Sequence, residues 1–241
     1  MNIVSRSIKF LFQEIEVLRY AAIAIAGHKF WLIPIIVPIV WLGPQSGMEI
    51  LDWVTIRDAG IQFRLALPLA FVGLFLGLRI VASEINARTL EIVYTVPGGA
   101  EKVWWVKILA SFMILLLTLA IMGLYAWFLI TPYNLESLYG AFQVGVFYMA
   151  VSMGFSTLFR SEVSGAIVAV VLLGANILFT EFGGQQIWFS PIYNPHAIND
   201  QVLKAIIVET LRNRIFIALV TLMIFSLAFL RGNRREKLLS G

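Results

Sequence analysis

The charged residues whose spacing suits chemistry or recognition lie together in one stretch near the middle of the chain. Glu84 and Arg88 are four residues apart with the acid first, the favourable order for an ion pair on one helix face. Glu91 follows Arg88 by three residues and shares that face. We predict a helix from Glu84 to Val96 that stops at Pro97 and the two glycines after it. A charged helix of this kind suits the binding of a partner protein, and a solvated connector with incidental ion pairs is the alternative.

Catalytic and metal-binding chemistry has few candidates in this sequence. The chain contains no cysteine, and its two histidines, His28 and His196, have no metal-ligand spacing to a pair of carboxylates. The phosphate-binding pattern G-x-x-x-x-G-K-[ST] does not occur. We therefore predict no catalytic, metal or cofactor site here.

The composition predicts an all-α integral membrane protein. The chain is 60% hydrophobic and 13% charged, against about 45–50% and about 25% in soluble domains. Its apolar residues form long runs, which satisfy their backbone polar groups in lipid only as helices. We predict a single transmembrane domain over residues 1–241. The six predicted spans are residues 29–43, 63–82, 104–130, 138–159, 163–180 and 214–230.

The first of these spans is short and follows an amphipathic segment. Residues 29–43 include Pro34 and Pro38, so we expect a kinked helix. Extending it towards the N-terminus would place Lys29 in the hydrocarbon, at a cost of about 2.5–3.5 kcal/mol. In residues 3–27 the apolar side chains recur with helical periodicity and polar ones line the opposite side. This pattern predicts a helix in the membrane interface, or alternatively one packed on the protein's own surface.

The basic residues predict the orientation. With the N-terminus in the cytoplasm and six spans, only five of the 18 lysines and arginines fall outside. Those five are Arg57, Arg64, Lys204, Arg212 and Arg214. We therefore predict a multi-pass protein with both termini cytoplasmic, in the plasma membrane, which is the inner membrane in a Gram-negative source. The same asymmetry accounts for the net charge of +4 without a nucleic-acid partner.

Small and neutral polar residues mark contacts between the spans. Gly73 and Gly77 form a G-x-x-x-G pattern in the second span, which suits close packing inside the bundle or, alternatively, a dimer contact. Gln143 and Asn176 stand within the fourth and fifth spans. Either one lines a pathway or forms an interhelical hydrogen bond. No ionisable residue falls at the middle of a clearly predicted span.

The charged stretch resembles the signature loop of ABC-2-type transporter permeases. That signature is approximately E-x-x-x-G-T-L-E-x-x-x-x-x-P, followed ten residues later by a lysine. The matching positions here are Glu84, Thr89, Leu90, Glu91, Pro97 and Lys107. Arg88 departs from the pattern, because it stands where the family often has glycine and favours a continuous helix. The order of interfacial helix, six spans and a long segment before the last span is similar over essentially the whole chain.

The resemblance implies an ABC-2 (type V exporter-like) permease architecture and a function in ATP-driven export. The chain would not be an enzyme itself. Its partners would be two ATPase subunits that bind ATP and Mg, and a second copy or paralogue of the permease. A cytoplasmic coupling loop, residues 83–103, would lie in a groove of the ATPase. The implied coupling residues are Glu84, Arg88, Thr89, Leu90, Glu91, Pro97 and Lys107, with a second contact through Arg160 and Glu162.

The resemblance also implies a gate on the outer side. Residues 181–213 would form an outer re-entrant segment, and its gate residues would be Pro191, Tyr193, Asn194 and Pro195. Gln143 and Asn176 are the candidate pathway residues. Without a charged cavity, we expect a hydrophobic or amphipathic cargo. Two alternatives remain open: an assembly subunit of the haem-exporter type, and a membrane scaffold that only holds a soluble partner.

Overall fold

The computed structural model of the chain describes residues 3–50, 58–86, 99–182, 187–195 and 203–232. These residues form seven α-helices and no β-strand, which confirms the predicted all-α class. A short 3-10 turn, Phe30–Leu32, precedes the second helix. The helices are α1 (Ile3–Ala26), α2 (Ile33–Ile50), α3 (Asp58–Asn86), α4 (Gly99–Leu129), α5 (Leu135–Phe159), α6 (Glu162–Phe182) and α7 (Leu203–Gly232).

Five stretches in the described ranges are long and apolar enough to cross a membrane, and each overlaps one of the predicted spans. They make the chain a multi-pass helical membrane protein. The spanning stretches are Gly60–Ile85, Glu101–Leu129, Leu135–Phe159, Glu162–Thr180 and Ile207–Gly232. The remaining predicted span, residues 29–43, passes the same test only together with Ile15–Ala26, from which it is bent by 82°. A sixth span therefore stays a prediction.

The bend between α1 and α2 follows from the residues at the junction. Gly27 has a φ of +82°, a left-handed conformation that glycine adopts without steric cost. Its N–H donates to the Ile23 carbonyl at 2.8 Å, which closes the last turn of α1. His28 and Lys29 then stand exposed before the 3-10 turn. The break falls where the cost of burying Lys29 predicted it.

α3 lies at the centre of the bundle and packs most extensively against α5. In the most apolar stretch of α3, 78% of the residues are buried, whereas in the most apolar stretch of α6 only 17% are buried. Two glycines permit the close approach: a Cβ at Gly73 would collide with the Gly145 carbonyl, and one at Gly77 with the Met149 carbonyl. The predicted packing role of this G-x-x-x-G pattern inside the bundle is confirmed.

The bundle has two ends that carry different polar groups. We call the end that holds Glu84 and Lys107 the Glu84 end, and the end that holds Gln62 and Arg214 the Arg214 end. Because successive helices alternate in direction, α3 runs from the Arg214 end to the Glu84 end and α4 returns. Large apolar side chains on α4, α6 and α7 remain exposed, as expected for faces that meet lipid.

The last helix begins earlier than the sequence predicted. Residues 203–213 were assigned to an outer segment separate from the span at 214–230, but they are the first turns of α7, which continues unbroken to Gly232. The apolar stretch of α7 begins at Ile207. Arg214 therefore lies seven residues inside it, about 10 Å along the helix axis.

Candidate functional site

Glu84 and Lys107 form a buried ion pair at the Glu84 end. The Lys107 Nζ lies 2.6 Å from Glu84 Oε1, and both residues are less than 10% exposed. The indole N–H of Trp104 donates to Glu84 Oε2 at 3.0 Å, and Lys107 donates to the Ile80 carbonyl at 3.2 Å. Both carboxylate oxygens are thus hydrogen-bonded, as a charge in an apolar setting requires. The pair ties the end of α3 to the start of α4.

This geometry differs from what the sequence implied for the same residues. Glu84 was expected on a helix face beside Arg88, but it lies on α3 and its carboxylate contacts Lys107 inside the bundle. Lys107, an implied coupling residue, is buried. Trp104, which donates to Glu84, is fully buried, whereas Trp105 is 59% exposed. Glu84 and Lys107 therefore hold two helices together, and less than 10% of either side chain is exposed.

The rest of the predicted coupling residues divide into two groups. Arg160 ends α5 in a left-handed conformation, with a φ of 56°, and its N–H donates to Ser156 O. Glu162 begins α6 directly after this turn, and both side chains are half-buried. The other predicted coupling residues lie outside the described residues: Arg88, Thr89, Leu90, Glu91 and Pro97.

At the Arg214 end a short irregular segment is bonded to the bundle. We call residues 187–195 the strap. The amide of Gln62 on α3 donates to the Tyr193 carbonyl at 2.8 Å. The amide of Asn213 on α7 donates to the carbonyls of Trp188 at 2.6 Å and Ser190 at 2.8 Å. Two helices thus hold the strap by its backbone carbonyls.

The predicted gate residues belong to this strap. All four predicted gate residues are buried: Pro191, Tyr193, Asn194 and Pro195. Tyr193 is fully enclosed, and burial raises the pKa of its hydroxyl. Residues 191–195 of the strap are buried and include no charged side chain.

Both predicted pathway residues form interhelical hydrogen bonds. The Gln143 amide donates to the Arg214 carbonyl at 2.8 Å, and its oxygen accepts from Arg214 Nη1 at 3.4 Å. The Asn176 amide donates to the Tyr148 hydroxyl at 3.1 Å, and its oxygen accepts from Ser190 Oγ at 3.4 Å. Of the two roles that the sequence left open, the structural role is the one present in this conformation.

Arg214 was not predicted as a site residue, although its position is unusual. It is 7% exposed within an apolar helix, and its Nε and Nη2 atoms have no hydrogen-bond partner among the described residues. Gln62 is 1% exposed, and its Oε1 is likewise unpartnered. Both side chains lie against Gly140, where a Cβ would come within 2.6 Å of Arg214 Nη2 and 2.7 Å of the Gln62 amide. We call these three residues, together with Gln143, the Arg214 cluster.

The signal for this cluster was present at the edges of the predicted spans. Gln62 directly precedes the predicted span at 63–82, and Arg214 is the first residue of the one at 214–230. Both were taken as boundary residues because the hydropathy changes there. Only the three-dimensional contacts bring them together.

The described part of the chain contains no group of three or more His, Cys, Asp or Glu side chains that is suited to hold a metal ion. Among the described residues, the buried charged side chains are Glu84 and Lys107 at one end and Arg214 at the other. Comparison of the chain with models of protein families, with curated proteins and with solved structures gives no significant match.

Proposed function

We propose that the chain is the membrane permease subunit of an ATP-driven transporter of the ABC-2 type. It would act as a dimer of permeases, identical or paralogous, with two separate ATPase subunits. Its cargo would be hydrophobic or amphipathic, and the expected direction is export. The observation that carries this proposal is the signature spacing from Glu84 to Lys107, in the connection between two helices that are long enough to span a membrane.

The ion pair supports a coupling role for that connection. The segment 87–98 joins α3 to α4, and the Glu84–Lys107 bond holds the two helix ends together at its base. A force on the segment would therefore act on both helices at once. α3 in turn packs closely on α5 through Gly73 and Gly77. ATPase closure would move this central pair of helices against the rest of the bundle.

The same proposal states which end of the bundle faces the cytoplasm and which further residues contact the ATPase. The Glu84 end would face the cytoplasm, where ATP is present, and the Arg214 end with its strap would face outward. Arg160 and Glu162, at the turn between α5 and α6, lie at the Glu84 end as well. They provide the second, smaller contact with the ATPase.

The test is ATP turnover in the reconstituted complex. The permease should copurify with an ATPase from its native source, and turnover of the complex in lipid nanodiscs should exceed that of the isolated ATPase. Glu91→Ala should lower this stimulation, because Glu91 belongs to the signature and is not part of the buried ion pair between Glu84 and Lys107. Glu84→Ala is unsuitable for this purpose, since loss of the buried ion pair would destabilise the permease itself.

Arg19→Ala is the control. Arg19 is an exposed charge on α1 and belongs neither to the coupling loop nor to the signature. It should leave the stimulation unchanged. Equal turnover with and without the permease would contradict the transporter proposal and favour a scaffold that only holds its partner.

A further inference from the structure

Arg214 presents an unused pair of donors. Its Nη1 donates to Gln143, while Nε and Nη2 are buried without a hydrogen-bond partner among the described residues. Nε and Nη2 form one edge of the guanidinium group, so their N–H bonds run parallel. This edge matches the two oxygens of a carboxylate or phosphate in a bidentate contact. A buried donor left unpaired is costly, and its presence in a folded protein calls for an explanation.

The surroundings favour an oxyanion over water alone. Arg214 carries a full positive charge inside an apolar helix, and an ionisable residue at such a place marks a functional site more often than a structural one. Exposed Glu136 and the ring of Tyr139 lie within electrostatic range of Arg214, with Cζ 5.7 Å from the ring centroid. Neither residue hydrogen-bonds to Nε or Nη2. The Nε–Nη2 edge is therefore unpaired among the described residues and is enclosed by the bundle.

Access to the Nε–Nη2 edge of Arg214 depends on the strap. Gln62 lies beside Nη2 over Gly140 and donates to the strap at Tyr193. Asn213, next to Arg214 on α7, holds the strap at Trp188 and Ser190. Departure of the strap would break the bond between Gln62 and Tyr193 and leave Gln62 free to move away from Nη2.

We propose that the Nε–Nη2 edge of Arg214 binds an oxyanion, a carboxylate or a phosphate, and that Gln62 and Gly140 shape this site. This deepens the proposed function and rests on it in one respect: for a transporter the oxyanion is the head group of an amphipathic cargo.

Binding of matched amphiphiles to the purified full-length protein tests the proposal. Dodecanoate, dodecyl phosphate and uncharged dodecanol would be compared by native mass spectrometry, with inorganic phosphate as a competitor. We expect the two anionic probes to bind more tightly than dodecanol, by about 10- to 100-fold. Competition by inorganic phosphate at similar concentration would identify a free oxyanion as the ligand. Its failure to compete would identify the head group of an amphiphile.

Four variants test whether the preference for anionic probes over dodecanol depends on Arg214. Arg214→Gln should abolish it, and Gly140→Ala should do the same while keeping the charge, because the added methyl group occupies the space beside Nη2. Lys102→Gln removes an exposed charge at the opposite end of the bundle and should leave it intact. Gln143→Leu removes both hydrogen bonds between Gln143 and Arg214 but leaves the Nε–Nη2 edge, so it should keep the preference and controls for helix packing. Unchanged anion preference in both Arg214→Gln and Gly140→Ala would overturn the proposal.

The two proposals fail in different ways. Anion preference that depends on Arg214, without any effect of the probes on ATP turnover, would leave the site standing and remove the cargo interpretation. Permease-dependent ATP turnover without anion preference would leave the transporter standing and overturn the oxyanion site.

Discussion

The bond between Glu84 and Lys107 joins two charges that an apolar bundle tolerates only together. Each is almost fully enclosed. Glu84 also accepts from the Trp104 indole, and Lys107 also donates to the Ile80 carbonyl. Removing one member of such a pair leaves the other buried and uncompensated, at a cost of about 3–5 kcal/mol. Replacing both with uncharged residues of similar size is often close to neutral.

We therefore predict that Lys107→Met lowers the thermal unfolding midpoint in detergent, whereas the double variant Glu84→Gln/Lys107→Met recovers most of that loss. The midpoint is measured by intrinsic fluorescence of the purified protein. Lys102→Met, at an exposed site one turn and a half earlier on α4, is the control and should stay near the wild type. A double variant as unstable as the single one would show that the pair is not the source of the stability.

Residue pairing is also where sequence reasoning was weakest. The i, i+4 spacing favoured Glu84 with Arg88, but the carboxylate bonds to Lys107, 23 residues away. Helical spacing describes neighbours on one helix and contains no information about which face of α4 meets α3. The resemblance to the permease signature marked Glu84 and Lys107 together, yet it assigned them to a partner surface because burial cannot be read from spacing.

At the scale of elements, the contact between α3 and α5 depends on the absence of side chains. We predict that Gly73→Ala and Gly77→Ala each destabilise the bundle by about 1–3 kcal/mol, because the new methyl group meets backbone carbonyls that cannot rotate away. Gly60→Ala is the matched control on the same helix, since nothing lies within 4 Å of its added Cβ. It should gain up to about 1 kcal/mol from helix propensity. Equal effects at the three positions would contradict the packing role.

The strap gives a second prediction at this scale. Asn213→Ala removes two hydrogen bonds to strap carbonyls, and their loss is worth about 1–3 kcal/mol. Hydrogen–deuterium exchange of the amides in residues 187–195 should then rise about 5- to 100-fold. Ser226→Ala on the same helix is the control, because that hydroxyl bonds only to the Leu222 carbonyl. Unchanged exchange in the Asn213 variant would mean that other contacts hold the strap.

The helices themselves were largely predictable, and the reason is physical. Long apolar runs have few alternatives to a helix in lipid, so five of the six predicted spans overlap spanning stretches of the structure. The start of α7 was missed because residues 203–213 carry charges that lower the hydropathy without breaking the helix. Hydropathy locates the part of a helix that faces lipid, whereas capping and backbone bonding decide where the helix begins.

For the molecule as a whole, orientation and span count are open to one direct measurement. The chain has no cysteine, so single-cysteine variants report on one position each without background. Asn134 lies exposed between α4 and α5 at the Arg214 end, and Lys102 lies exposed at the Glu84 end. We predict that a membrane-impermeant maleimide labels Asn134→Cys in intact cells and Lys102→Cys only after permeabilisation. The reverse result would invert the proposed orientation.

His28→Cys decides the number of spans in the same assay. His28 is exposed at the bend between α1 and α2. If the stretch after it crosses the membrane, His28 lies on the same side as Lys102, and labelling requires permeabilisation. Labelling in intact cells together with Asn134→Cys would mean five spans, with α1 and α2 on the outer face. The side of the coupling loop would be unaffected by that outcome, because Lys102 reports it independently.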